Sequence, residues 1–223
     1  MITRIKFIGK RSVQLVTLGL VAFFIYIMGV IWLLDPHTHQ AALRVIPAAL
    51  LASTLILLFF SQAPYTPRKI LVFAAIVIIG YLLEVTGVKT GLIFGQYTYG
   101  SGLGYKLYDT PLIIGINWLF VTYAAACTAT LLTRSNALQW VYTVLIMLLY
   151  DVFLEMAAPK MDLWHWEGEV IPLQNYVVWG IAALFFLWLI RKNRIVTVNV
   201  MALPFLMMQT FMFIVVAAYT PQG

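Results

Sequence analysis

The sequence predicts an all-α, polytopic membrane protein of about seven transmembrane helices, and three observations carry that prediction. Of 223 residues, 63% are hydrophobic and only 10% charged, whereas soluble domains hold roughly 45–50% and about 25%. Polar side chains are too few to cover a water-exposed globule, and mean hydropathy is +0.94. The apolar residues also fall into seven long runs bounded by proline, glycine and charge clusters. At about 20 residues per span the length excludes an additional soluble catalytic domain, so residues 1–223 read as a single integral membrane domain.

The first run, 13–34, follows a basic start and lacks a small-residue cleavage site at its end, so it is expected to be a retained helix rather than a removed signal. Runs 41–60 and 68–86 follow. A long connection rich in glycine and aromatic residues, 87–109, leads to runs 110–133 and 136–157. A second such connection, 158–171, precedes runs 172–190 and 198–218.

Numbering the connections alternately puts Arg4, Lys6, Lys10, Arg11, Arg68, Lys69, Arg134, Arg191, Lys192 and Arg194 on one side, and Lys89, Lys106 and Lys160 on the other. Arg44 is left inside the second run. The positive-inside rule then places the N-terminus in the cytoplasm, the C-terminus outside and both long loops outside, as a multi-pass protein of the cell membrane. The net charge of +6 is read as this orientation signal, so no nucleic-acid partner is expected; the lipid bilayer is. A retinal protein is excluded because no run carries a lysine at mid-span for the Schiff base, and the orientation is reversed.

One cysteine, Cys127, supports neither an internal disulfide nor a multi-cysteine metal site. His37 and His39 share a short loop with Asp35 and lack a fourth ligand nearby, and His165 between two tryptophans reads as interfacial. No metal site is expected.

The sharpest chemical signal is acid inside the spans: Glu84, Asp151 and Glu155. Each ionised carboxylate at mid-membrane costs about 2.5–3.5 kcal/mol even on the lenient scale, so acids kept there face a cavity or a partner. Asp151 and Glu155 are four apart on one predicted helix face. Two carboxyls that close cannot both ionise cheaply, and one is expected to hold a proton near neutral pH, as a general acid must. The bland alternative is that the acids mark the outer interface and meet Lys89, Lys106 or Lys160.

Tyr97, Tyr99, Trp118, Trp164, Trp166 and Trp179 fall on the same side as the acids. They read as an interfacial belt or as walls for a long apolar ligand, whose faces also stabilise a cation. Asn117 and Asn175 stand just inside spans, where an amide needs partners; they would hold water or a carboxyl, or bond helix to helix. Pro111 to Trp118 repeats the spacing of Pro172 to Trp179, each unit preceded by a Gly/aromatic loop and a span bearing an acid, Glu84 or Glu155. This suggests a parallel duplication about an axis along the membrane normal.

Glu84-Val85-Thr86-Gly87, Gly91 through Tyr99, Pro111 through Trp118, Asp151-x-x-x-Glu155, Trp164-His165-Trp166 and Ile171 through Trp179 together resemble the membrane carotenoid biosynthesis family, over roughly residues 80–180. That family includes carotenoid 1,2-hydratases of the bisanhydrobacterioruberin hydratase type. The resemblance implies a cofactor-independent hydro-lyase that protonates the terminal C1–C2 double bond of a long acyclic carotenoid such as lycopene, after which water captures the cation. It implies Asp151 or Glu155 as proton donor, the other tuning it, and Glu84 with Asn117 or Asn175 positioning water. Two other readings stay open: a lycopene-cyclase-like enzyme, and a proton-coupled carrier, which would need polar residues continuing through the cytoplasmic half. The number of copies in the functional unit is not legible.

Overall fold

A computed structural model describes the backbone of residues 2–219 and the side chains of residues 17 and 19–219. Seven helices run in sequence: α1 (Ile2–Leu34), α2 (His39–Phe59), α3 (Pro67–Thr90), α4 (Ile113–Leu132), α5 (Asn136–Ala157), α6 (Leu173–Lys192) and α7 (Ala202–Ala218). Between α3 and α4 lie β1 (Tyr97–Tyr99), β2 (Lys106–Leu107) and β3 (Thr110–Pro111), and between α5 and α6 lies β4 (Trp164–Trp166). Among the described residues, α2 to α6 are long and apolar enough to cross a membrane, while Gly19–Leu34 of α1 and all of α7 are shorter apolar stretches. Arg4, Lys6, Lys10 and Arg11, which weigh in the charge count, lie outside the described side chains.

Helix α4 is the axis of the bundle. Every residue from Asn117 to Ala129 is buried, as expected of a helix apolar on all sides. Its run Ala124-Ala125-Ala126-Cys127 presents small side chains, which let α2, α3, α5 and α7 pack closely around it.

Several boundaries differ from the apolar runs for local reasons. Helix α3 continues past Gly87 to Thr90 because Gly87 is a flat spot, not a stop: a Cβ there would meet Phe94 at 2.6 Å. The stop is Gly91, left-handed at φ 66°, whose N–H bonds Gly87 O. The apolar segment before α7 stays extended because Asn199 donates to Leu57 O at 2.6 Å and accepts from Met201 N at 3.0 Å, and Thr197 bonds Thr130 at 2.8 Å.

The two long connections fold onto each other. Strands β1 and β4 pair antiparallel, Tyr97 opposite Trp166 and Tyr99 opposite Trp164. The pairing extends through Glu167 N to Gln96 O, Gly100 N to Leu163 O and Gly102 N to Asp162 O. This ribbon closes the bundle end at which α3 and α5 finish and α4 and α6 begin. At the other end the half-bundle also holds buried polar side chains. Lys69 is buried and donates to Ser61 Oγ at 2.6 Å and Ala63 O at 3.1 Å over the Tyr65 ring, and Arg191 bonds Gln139.

Candidate active site

The acids arrive on parallel helices: Glu84 in the penultimate turn of α3, Asp151 and Glu155 in the last two turns of α5. Glu84 is 5% exposed, Glu155 3% and Asp151 0%. The nearby lysines are engaged elsewhere, so the interfacial reading of the acids loses its partners. Lys89 pairs with Asp109, Lys106 donates to Tyr99 O at 2.5 Å, and Lys160 donates to Ala217 O and Tyr219 O at 2.6 Å. Arg44 is exposed on α2.

Neutral donors surround the carboxyls instead. Glu84 Oε2 accepts from the Tyr97 and Tyr99 hydroxyls at 2.6 and 2.7 Å, and Oε1 from Trp118 Nε1 at 2.9 Å. Glu155 Oε2 accepts from Trp164 and Trp166 Nε1 at 3.0 and 2.7 Å. The Asn175 amide nitrogen, with two protons to give, donates to Asp151 Oδ2 at 2.9 Å and Glu155 Oε1 at 3.2 Å. Asp151 Oδ1 has no hydrogen-bond partner among the described residues. Burial, and then the adjacent Glu84, push the Tyr97 and Tyr99 phenols well above the usual tyrosine range, so both are fixed as donors.

The donors are placed by the ribbon and by close packing. Alternate residues of a strand point to one face, so Tyr97 and Tyr99 both reach Glu84 while Trp164 and Trp166 both reach Glu155. Trp118 reaches Glu84 because Gly80 lies beneath it: a Cβ on Gly80 would meet Trp118 atoms at 2.7 Å.

Glu84, Glu155, Asn117, Asn175, Tyr97, Tyr99, Trp164, Trp166 and Trp179 line one cavity of about 20 Å³, with Phe94 and Ile114. That holds about one water. Asp151 and Trp118 stand behind the wall, Asp151 joined to it through Asn175 and Trp118 through Glu84. Asn117 is 5% exposed and lines the cavity, and no side-chain hydrogen bond among the described residues holds its amide. His165 turns out of the site to Asp162 Oδ1 at 3.0 Å, and His39 bonds Leu33 O at 2.7 Å.

The suspected duplication has a geometric counterpart. The units α3–β1–α4 and α5–β4–α6 each bring an aromatic-x-aromatic strand to the acid of the preceding helix. A twofold along the bundle keeps the helices parallel while making strands that lie across it antiparallel, as β1 and β4 are. Trp118 and Trp179, equivalent in the two units, meet with centroids 4.4 Å apart and planes tilted by 32°. The Asn pair breaks the symmetry. Counted from Pro111 and Pro172, Asn175 matches Ile114, and Asn117 matches Val178.

Sequence reasoning missed a second, larger cavity of about 170 Å³ that meets the first at Ile114, Asn117 and Trp164. It also missed a polar chain in that cavity's wall, in which Tyr150 donates to Gln209 at 2.7 Å, Gln209 to Tyr26 at 2.9 Å, and Tyr26 meets Ser53 at 2.8 Å. The available signal was small residues at helical spacing on α1 and α2, among them Ala22, Gly29, Ala42 and Ala49.

Comparison with known proteins gives this geometry a family. Bisanhydrobacterioruberin hydratase of Haloarcula japonica is 28% identical over 131 residues, 53% of this chain and 45% of that protein, so the chain spans about half the length of this relative. No solved structure matches the chain. The family profile described as carotenoid biosynthesis protein matches residues 45–221, which contain all three acids and both asparagines. The chain therefore belongs to the carotenoid biosynthesis protein family.

Proposed function

We propose that this membrane protein is a carotenoid hydratase, adding water across the terminal C1–C2 double bond of an acyclic carotenoid. The observation that carries the reading is a water-sized cavity lined by carboxyls from two helices, with neutral donors around both and no described cation in contact with them. A buried acid cluster without a counter-cation is expensive to ionise fully, which is the setting in which a proton is kept for delivery. Family membership and the hydratase relative support the same class of substrate.

Glu155 is the donor, because it reaches the cavity and shares Asn175 with Asp151. Its O–H bond breaks as the proton joins the less substituted alkene carbon, leaving a tertiary cation. The faces of Trp179, Trp166 and Tyr97 lower that cation's energy electrostatically. A water held by the free Asn117 amide adds to the cation and gives its proton to Glu84. Once the alcohol leaves and a fresh water enters the cavity, that water relays the proton from Glu84 back to Glu155, so nothing is oxidised and no redox cofactor is required. Asp151 is a positioning residue that keeps Asn175 and Glu155 in register.

The test is expression in a lycopene-producing host with mass analysis of the pigments. The expected product is substrate plus one water, with oxygen from labelled solvent. A product of unchanged mass and altered absorption would mean cyclisation and would overturn the assignment.

A further inference from the structure

The second cavity descends along the bundle from the end closed by the ribbon. Its walls run from Ala22 to Leu33 on α1 and from Ala42 to Ile56 on α2, about 16 Å and about 21 Å of helix at 1.5 Å per residue. It is therefore a slot, and small side chains on α1 and α2 keep it open. Leu103, Met161 and Leu163 line it at the ribbon end, so the side chains that would meet a headgroup there are apolar. Its lining residues Ile25, Trp32 and Val45 are exposed on the outer face of the bundle, where a bilayer would lie. The inner end meets the acid cavity at Asn117 and Trp164.

We propose that this slot, walled by α1 and α2, takes the acyclic isoprenoid chain sideways from the bilayer and feeds its end past Asn117 to Glu155. The inference rests on the hydratase reading for the identity of the chain. What singles out a headless, apolar chain with a branched hydrocarbon end is the slot's make-up: apolar at the ribbon end, lined mostly by apolar side chains whose few polar members besides Asn117, namely Tyr150, Gln209, Tyr26 and Ser53, bond one another, and continuous with a cavity too small for more than a water and a chain end. Residues 22–33 of α1 lie outside the family match, which begins at residue 45. One wall is thus supplied by a helix that family-wide features do not specify, and α1 sets which chains fit.

Gly29 provides the test. It lines the slot, and a Cβ built on it meets nothing within 4 Å, so a large side chain there enters open space without disturbing the backbone. Gly29→Phe and Ala49→Trp are compared with Gly19→Phe, which also adds a side chain in open space on α1 but outside the slot lining. The full chain in nanodiscs is titrated with lycopene, followed by the shift in polyene absorption, and turnover is measured in parallel. The slot variants are expected to lose lycopene affinity and to raise KM by roughly tenfold or more, the scale of steric exclusion from an apolar pocket, with unchanged Tm; Gly19→Phe is expected to match wild type. Wild-type binding that the slot variants abolish, without any hydrated product, would sink the hydratase reading and leave the slot standing. Slot variants that bind and convert lycopene as wild type does, or a slot whose bound lipid lycopene fails to displace, would overturn the slot.

Discussion

In the proposed mechanism, two carboxyls in similar surroundings take different roles because of one amide. Glu84 and Glu155 each accept three hydrogen bonds from neutral groups, but only Glu155 has a second acid beside it, bridged by Asn175. Glu155→Gln and Glu84→Gln keep shape while removing the proton or its acceptor. Each is expected to lower turnover by about 10²–10⁴, the range for loss of a general acid or base, with insertion and Tm preserved. Asp151→Asn should cost less in kcat and shift the pH profile instead, since it acts through Asn175. The geometry beneath Trp118 gives a sharper check. Gly80→Ala forces the indole off a contact that would fall at 2.7 Å, so overpacking of about 1–3 kcal/mol and loss of the Trp118–Glu84 bond are expected. A red-shifted tryptophan emission together with reduced activity would report it; a normal spectrum with full activity would show that Trp118 does not need Gly80.

At the scale of elements, the helices were legible and their surroundings were not. Seven apolar runs became seven helices because a chain this poor in polar groups must satisfy its backbone within each segment. The extended stretch before α7 was hidden, since Thr197 and Asn199 divert it through bonds to Thr130 and to the α2 backbone that no local pattern encodes. The two acids on one face of α5 followed from their spacing. That Asp151 would stand behind Asn175 did not, because the blocking residue comes from another helix. The ribbon was equally invisible as pairing, although the sequence had marked both of its strands as aromatic. Its keystone is Asp162, which accepts from Ser101 N at 2.7 Å, Ser101 Oγ at 2.5 Å and His165. The Ser101 hydroxyl, with His165 and the Ser101 amide, outweighs partial burial and holds this carboxyl down at about 2. A depressed folded value stabilises above the ordinary aspartate range near 4, and the benefit fades as pH falls toward 2. Asp162→Ala should therefore lower Tm at neutral pH by about 2–4 °C and make no difference below about pH 2. An equal loss at both pH values would locate its effect outside the Ser101 and His165 bonds.

For the whole molecule, the duplicated units and the charge distribution lead to one orientation. The two similar units bring Glu84 and Glu155, both aromatic strands and the tilted Trp118–Trp179 pair to the ribbon end, so the proposed reaction site belongs to one leaflet. Which leaflet is decided by the cations. At the ribbon end stand Lys89, Lys106 and Lys160, exposed but each tied to an acid or to backbone oxygens, whereas Arg68, Lys69, Arg134, Arg191, Lys192 and Arg194 all lie at the opposite end. The end with the excess of Lys and Arg is the one retained on the cytoplasmic face, and so the ribbon and the acid cavity are expected to face outward. Cys127 is 3% exposed, so Cys127→Ser gives a clean background for labelling with a membrane-impermeant thiol reagent in intact cells. Tyr105→Cys and Glu167→Cys, both at exposed positions of the long loops, are expected to react from outside, while Arg134→Cys reacts only after the membrane is opened. The reverse pattern would invert the molecule, and with it the leaflet from which the slot between α1 and α2 draws its substrate.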